Sequence, residues 1–121
     1  MVTAESEASK NIWFVVISIV DGRGHLVMLQ RTLAQTASVE IATGKATTSA
    51  ASRCSTKALE DGLAASGPGL RILSVRSVTA LQGGVPVVMD DKFIGAIGVS
   101  GVTAAQDEVV AMAGAAAVTA K

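Results

Sequence analysis

Two apolar segments joined by a short glycine-containing turn constrain the fold of this 121-residue chain more than any other feature. The first, Ile12–Val20, is β-branched and aromatic, with Ser18 as its only polar residue, which is typical of a strand covered on both faces. Asp21-Gly22-Arg23-Gly24 follows, and it is rich in residues that tolerate positive φ. His25–Gln30 then predicts a returning strand, so that the two segments form a β-hairpin.

Beyond the hairpin, the sequence alternates between helical and extended patterns. Ala37–Arg53 is rich in alanine and threonine and carries apolar residues at three- and four-residue spacing, which indicates a helix. Further helical segments are predicted over Thr3–Lys10, Ser55–Ala65 and Thr103–Val118. Short strands are predicted over Thr79–Gln82, Val85–Met89 and Phe93–Val99.

The order of these segments predicts the fold class. We expect an α+β fold in one domain over residues 1–121, with a central, mainly antiparallel sheet of five strands flanked by helices. Thr103 and Gln106 have the spacing of a capping box at the start of the last helix. Leu70–Arg76 fits either a helical turn or a strand.

Charge and hydropathy exclude several classes of function. Ten basic and ten acidic side chains cancel and form no run, so the chain lacks the basic surface that nucleic-acid binding requires. The longest apolar stretch, Ile12–Val20, is too short to cross a membrane. The first residues lack the basic start and apolar run of a signal peptide, and a single cysteine, Cys54, fits a reducing compartment. We therefore expect a cytoplasmic protein.

Small residues replace aromatic ones in the interior. Aromatic residues make up only 2% of the chain, although half of its residues are apolar. Such a chain packs a tight, thin core and leaves apolar faces uncovered. We expect partner subunits to cover them, which predicts a homo-oligomer.

Polar side chains near the hairpin are candidates for a binding site. His25 is the only histidine, so it is the only conventional candidate for a haem-iron ligand or a proton carrier near neutral pH; the alternative is an exposed side chain beside a turn. Arg31 ends the second strand and could pair with a carboxylate of a ligand or of a neighbouring subunit. Glu40 and Lys45, on the first long helix, either meet a ligand or face water.

Two glycine-containing segments could bring the backbone close to a ligand. Gly83 and Gly84 precede a strand, either as a turn or as a loop that approaches a flat ligand. Ser100 and Gly101 lie where a strand leads into a helix, where free backbone N–H groups can hold an anion, or where small residues only ease packing. Asp107 follows near the start of that helix, whose dipole favours acids.

Together, several motifs resemble those of one protein family. The hairpin reads Ile19-Val20-Asp21-Gly22, then Gly24-His25-Leu26-Val27 and Arg31, and the first long helix contains Ser38-Val39-Glu40-Ile41-Ala42 before Gly44-Lys45-Ala46. Gly83-Gly84-Val85-Pro86 and the segment from Ile94 to Gly101 follow. Over Val15–Val118 this pattern resembles the GlcG–HbpS family, a haem-degrading group that includes PduO C-terminal-like domains. After Arg31 the sequence departs from the family, whose members continue with Met-Asp-Gly.

The resemblance implies an antiparallel sheet layered with helices as in profilin and PAS domains, often in large homo-oligomers. Some family members bind haem, so the leading hypothesis is a cytoplasmic, oligomeric protein that binds a small molecule, with haem favoured over a corrinoid. His25 would ligate the haem iron. The remaining binding residues would be Arg31 and Lys45 near the propionates, with Glu40, Gly83, Gly84, Ser100 and Gly101.

Two other functions stay open from the sequence. One is a small catabolic enzyme acting on a carboxylate-bearing metabolite, in which His25, Glu40 or Asp107 would move a proton. There the backbone at Ser100 and Gly101 would hold the anion. The other is a non-catalytic accessory subunit that stabilises a partner enzyme.

Overall fold

A computed structural model of the chain describes residues 1–119, so Ala120 and Lys121, the last residues of the predicted domain, lie outside the described part. Helices and strands follow in this order: α1 (Val2–Lys10), β1 (Val16–Asp21), β2 (Leu26–Arg31), α2 (Ala37–Ser52), α3 (Thr56–Ala64), a 3₁₀ helix (Gly67–Ser74), β3 (Gly84–Met89), β4 (Lys92–Ser100) and α4 (Ala104–Thr119). The strands form one antiparallel sheet in the order β2-β1-β4-β3. The predicted α+β class is confirmed.

The predicted hairpin forms from β1 and β2, and an aspartate builds its turn. The Asp21 Oδ1 atom accepts the backbone N–H groups of Arg23 and His25 at 2.9 and 3.0 Å. These two local hydrogen bonds satisfy turn N–H groups that have no partner on a neighbouring strand. The pairing contains one irregularity, because Ile19 pairs with Met28 whereas Val20 pairs with Leu26.

The first strand begins later than the sequence predicts. It starts at Val16, not at Ile12, because the preceding residues lead the chain out of α1 and across to the sheet. Ile12 has a φ of 59°, and the N–H of Trp13 donates to the carbonyl of Ala8 at 2.9 Å. A chain needs several residues to turn from a helix into a strand. The residues from Ile12 to Val15 therefore form the connection and are not part of the strand.

The sheet has four strands, so the prediction of five was wrong. The missing strand is Thr79–Gln82, which packs against α2 instead of pairing in the sheet. The N–H of Thr79 donates to Oγ1 of Thr48 at 2.9 Å, and a Cβ atom on Gly44 would overlap the Thr79 hydroxyl. The hydroxyl of Thr48 on α2 thus accepts the backbone N–H that would otherwise pair with a neighbouring strand. The ambiguous segment Leu70–Arg76 is largely part of the 3₁₀ helix.

Helices cover the two faces of the sheet unequally. On one face α2 lies very close, because the sheet presents Gly98 beneath it: a Cβ atom there would overlap the carbonyl oxygen of Ala42 and lie 2.6 Å from the nitrogen of Ala46. On the other face α1 and α4 enclose the larger apolar core. Its buried members are Ala4, Ala8, Val15, Ile17, Val85, Ile97, Val99, Val110 and Ala111.

The strand pairing defines two ends of the sheet. At one end, which we call the hairpin end, β1 closes at Asp21 opposite Gly95. At the other, the junction end, Val16 pairs with both Arg31 and Ser100. Because strands rise by about 3.3 Å per residue, the two ends are separated by about 17 Å.

The two edges of the sheet differ in how much they expose. β2 forms one edge, and its residues Leu26, Val27 and Met28 are 56%, 64% and 50% exposed. β3 forms the other edge and contains Pro86, which has no N–H to offer a further strand. None of the helices within residues 1–119 is long and apolar enough to cross a membrane.

Candidate functional site

His25 lies at the hairpin end with its imidazole in solvent. The side chain is 76% exposed, and its Nδ1 atom lies 3.9 Å from Oδ2 of Asp21. The backbone N–H groups of His25 and Arg23 hold the pKa of the Asp21 carboxyl below its ordinary value. Within residues 1–119 no side chain hydrogen-bonds Nε2, so this nitrogen is available to a ligand. Metal-binding histidines commonly donate the other ring N–H to a carboxylate, and at 3.9 Å the contact with Asp21 is longer than such a hydrogen bond.

An apolar cleft opens beside this hairpin. It has a volume of about 240 Å³, lies beneath the ends of α1 and α4, and includes Asp21 and Val27 in its wall. Pockets for drug-sized ligands usually measure about 300–1,000 Å³. The cleft is therefore small for a whole tetrapyrrole.

A larger pocket lies at the junction end, beside Arg31. Its volume is about 450 Å³, and it is lined by Ser9, Ile12, Trp13, Phe14, Arg31, Thr32 and Leu33. We call it the aromatic pocket, because it holds two of the chain's three aromatic residues. The sequence pattern predicts Trp13 and Phe14 inside a strand, so sequence reasoning missed this site. The signal was that a single residue, Asn11, connects the predicted first helix to the strand predicted from Ile12.

Lys45 lies in the interior and not beside a surface ligand. Its Nζ atom donates to the carbonyl of Val99 at 2.8 Å and to Oδ2 of Asp107 at 3.1 Å. Both charged side chains are 3% exposed. This environment differs from the accessible position that a contact with haem propionates requires. No feature of the sequence pairs Lys45 with Asp107, and sequence reasoning treated them as separate candidates.

The carboxylate of Asp107 accepts hydrogen bonds from the backbone N–H groups that the sequence analysis proposed as an anion site. Its Oδ1 atom accepts the N–H of Val102 at 3.1 Å, and the amide of Gly101 also donates to the carboxylate. Burial raises the pKa of the Asp107 carboxyl above its ordinary value, although Lys45 and these amides partly oppose the rise. An external anion at Ser100 and Gly101 would have to displace this carboxylate.

The glycines at the junction end pack against neighbouring backbone and against Lys45. A Cβ atom on Gly83 would lie 2.8 Å from the Lys45 Nζ atom, and one on Gly84 would lie 2.5 Å from the Lys45 carbonyl oxygen. Gly101 has a φ of 149°, and a Cβ atom there would overlap the carbonyl of Phe14. Ser100 is buried beside it. A side chain at Gly83 or Gly84 would therefore collide with Lys45, and one at Gly101 would collide with Phe14.

The remaining candidate, Glu40, is exposed on the outer surface of α2 beside a shallow pocket. The hydrogen bonds and ion pairs of residues 1–119 do not join His25, Glu40 or Asp107 to one another. Nor do His, Cys, Asp and Glu side chains in this part of the chain gather into a group of three that could hold a metal ion. The structure thus brings Lys45, Asp107, Gly83, Gly84 and Gly101 together, and leaves His25 at the opposite end.

Comparison with known proteins shows similarity over most of the chain. Residues 1–116 match the family described as haem-degrading protein HbpS-like. Protein GlcG of Escherichia coli strain K12 is 43% identical over 98 residues, which cover 79% of this chain and 71% of that protein.

Solved structures agree with the sequence match. The crystal structure of a PduOC–haem complex superposes with a TM-score of 0.85 at 31% identity, and the match covers 96% of this chain and 86% of the other. The crystal structure of HbpS superposes with a TM-score of 0.86 at 30% identity, covering 96% and 82%. The resemblance predicted from the motifs is confirmed. The chain therefore belongs to the HbpS-like family.

Proposed function

We propose that this protein is a cytoplasmic homo-oligomer that binds haem and ligates the haem iron through His25. The observation that carries the proposal is the position of His25, an exposed imidazole with a carboxylate behind Nδ1 and with Nε2 available. The similarity to a structure described as a haem complex supports the choice of ligand.

Haem requires three kinds of contact, and residues for each are present. An axial nitrogen comes from His25, because imidazole is a common proximal ligand of haem iron. Apolar surface is available at Leu26 and Val27 beside it, and in the aromatic pocket. A guanidinium suited to a propionate is available at Arg31. Bound haem would supply the iron chemistry, while the protein's own residues bind and orient it.

Exposed apolar side chains support an oligomer. Large apolar residues are exposed on β2 and on α4, where Val109 and Met112 are 47% and 56% exposed. Apolar surfaces of this kind mark contacts between proteins when they are continuous. A free thiol at Cys54 fits the reducing cytoplasm.

Titration with haemin tests the proposal. Wild-type protein should develop the Soret band of an imidazole-ligated haem at a fixed stoichiometry, and His25→Ala should lose that band. Arg23→Ala, a change in the same turn that keeps the imidazole, is the matched control and should behave like wild type. Added imidazole should restore the band to His25→Ala. An identical spectrum for wild type and His25→Ala would show that another residue ligates the iron.

A further inference from the structure

The cleft at the hairpin end combines an apolar wall with a single carboxylate. Its wall includes Ile97, a buried member of the core, together with Val27 and Ile94, which are 64% and 43% exposed. Among the lining residues that the structure describes, Asp21 has the only charged side chain, and that side chain is 46% exposed. The cleft thus runs from a charged, open end towards the apolar interior.

Strand geometry directs Asp21 to this side of the sheet. Side chains alternate between the two faces along a strand, so Asp21 shares a face of β1 with Ile17 and Ile19. Ile17 belongs to the core that α1 and α4 enclose, and Ile19 packs against that core. The irregularity in the pairing of β1 with β2 leaves Val27 without a partner, and such bulges re-aim side chains. Val27 becomes part of the cleft wall.

One oxygen of the Asp21 carboxylate has no hydrogen bond to any group within residues 1–119. Oδ1 accepts the N–H groups of Arg23 and His25, which hold the side chain in the turn. Oδ2 lies 3.9 Å from Nδ1 of His25, and no lysine, arginine or N-terminal ammonium in the described part of the chain forms an ion pair with it. The N–H groups of His25 and Arg23 lower the pKa of the Asp21 carboxyl, so it is ionised at neutral pH. An ordered anion with a free acceptor therefore lies at the open end of the cleft.

We propose that this cleft binds a small primary amine with an apolar tail, whose ammonium pairs with Oδ2 of Asp21 while the tail lies along the apolar wall. The proposal goes beyond haem binding and does not depend on it. An ammonium supplies both the donors and the positive charge that the free oxygen lacks. A ligand with a carboxylate head would be repelled by Asp21.

The volume of the cleft limits the length of the tail. The cleft measures about 240 Å³. A water molecule occupies about 30 Å³, so this space holds roughly eight atoms of similar size. An unbranched amine with about six or seven carbon atoms fills it on that scale. Longer tails would extend into solvent and gain no further apolar contact.

The order of charge and apolar surface favours a free amine over a lysine side chain from a partner protein. Asp21 is half-exposed whereas Ile97 is buried, so the ammonium stays near solvent and the tail points towards the core. A lysine side chain would enter with its ammonium leading and its backbone outside. Its charge would then lie at the apolar end of the cleft, away from Asp21.

Calorimetric titration of the full chain without haemin tests the proposal. Hexylamine should bind about three- to ten-fold more tightly than hexanol, because only the amine pairs with a charge, and hexanoate should bind most weakly. From propylamine to hexylamine the affinity should rise by up to about four-fold per added CH₂ group, and it should stop rising near octylamine. Equal affinities for hexylamine and hexanol, or a series that does not rise with tail length, would overturn the inference.

A charge-removing variant assigns the preference to Asp21. Asp21→Asn keeps an oxygen for the turn N–H groups and should bind hexylamine and hexanol equally. Asp91→Asn, a change of an exposed aspartate in the turn between β3 and β4, is the matched control and should keep the wild-type preference. A preference for the amine that survives in Asp21→Asn, or that Asp91→Asn loses to the same extent, would contradict the assignment. Circular dichroism checks folding, and Asp21→Ser, whose hydroxyl also accepts turn N–H groups, replaces Asp21→Asn if that variant is unfolded.

Discussion

The Nζ atom of Lys45 lies 3.1 Å from Oδ2 of Asp107, and this ion pair joins α2 to the first turn of α4. The ammonium also bonds the Val99 carbonyl of β4, so three elements meet at one buried charge. Taking two charges out of water is costly, and their attraction offsets that cost only in part. The pair therefore contributes more to fixing the position of α2 on the sheet than to stability.

Removing only the cation should be the most damaging change to this pair. Lys45→Met leaves the Asp107 carboxylate buried without a counter-ion, which should lower the free energy of unfolding by about 3–5 kcal/mol at neutral pH. Asp107→Asn keeps an oxygen that accepts the Val102 N–H and should cost less. The double variant should be more stable than Lys45→Met, because no lone charge is left. Urea unfolding measures all three, and Lys57→Met, in the exposed pair with Asp61, is a control expected to cost less than about 1 kcal/mol.

The raised pKa of Asp107 predicts how stability depends on pH. Because burial raises the pKa in the folded state, the folded chain holds this proton more tightly than the unfolded chain, whose carboxyl titrates near 3.8. The contribution of this group is therefore fully present below that value and is lost as the pH rises through the folded-state pKa. Asp107→Asn should lack this loss when urea midpoints are compared across the acidic range. The opposite slope would mean that attraction to Lys45 outweighs burial.

The start of α4 has the capping box that the sequence predicts. The N–H of Gln106 donates to Oγ1 of Thr103 at 3.2 Å, and the N–H of Thr103 donates to Oε1 of Gln106 at 3.3 Å. Thr103→Ala should therefore lower the free energy of unfolding by about 1 kcal/mol. Thr3→Ala, an exposed change in α1, should stay within about 0.5 kcal/mol of wild type. Equal losses for both would show that the cap contributes nothing.

Close packing of α2 predicts a marked difference between two glycines. Gly98→Ala forces a methyl group into the backbone of α2 and should destabilise the protein by about 1–3 kcal/mol. Gly62 lies within α3, and a methyl group added there would meet no atom of a packed neighbour within 4 Å. Gly62→Ala should therefore stabilise by about 0.5–1 kcal/mol. Thermal melts of both variants give the comparison, and similar melting temperatures would contradict the close approach.

The carboxylate behind His25 should matter for haem affinity. Asp21→Asn keeps the oxygen that accepts the turn amides but removes the negative charge beside Nδ1. Carboxylates hydrogen-bonded to a ligating histidine typically change metal affinity by about 10–100-fold, and the 3.9 Å contact of Asp21 is longer than such a bond. We expect a loss of haem affinity of about 10-fold or less, with an unchanged circular dichroism spectrum. An unchanged affinity would show that Asp21 serves the turn alone.

Local patterns predicted the fold well, and contacts between distant residues explain the errors. The hairpin turn and the capping box depend on residues a few positions apart, so their spacing is visible in the sequence. The predicted strand at Thr79 was wrong because Thr48, 31 positions away, takes its backbone N–H. The pairing of Lys45 with Asp107 spans 62 positions and leaves no local pattern. The membership of the family was clear from motifs, whereas the opposite placement of His25 and Arg31 emerges only from the strand order.

The difference between the two sheet edges limits how far such a sheet can grow. Pro86 removes a ladder donor from the outer side of β3, so this edge pairs less well with a further strand. Pairing of copies edge to edge would therefore stop at β3 and would not propagate into a fibre. Contacts between copies would then have to use other surfaces, and α4 exposes Met112 for such a contact.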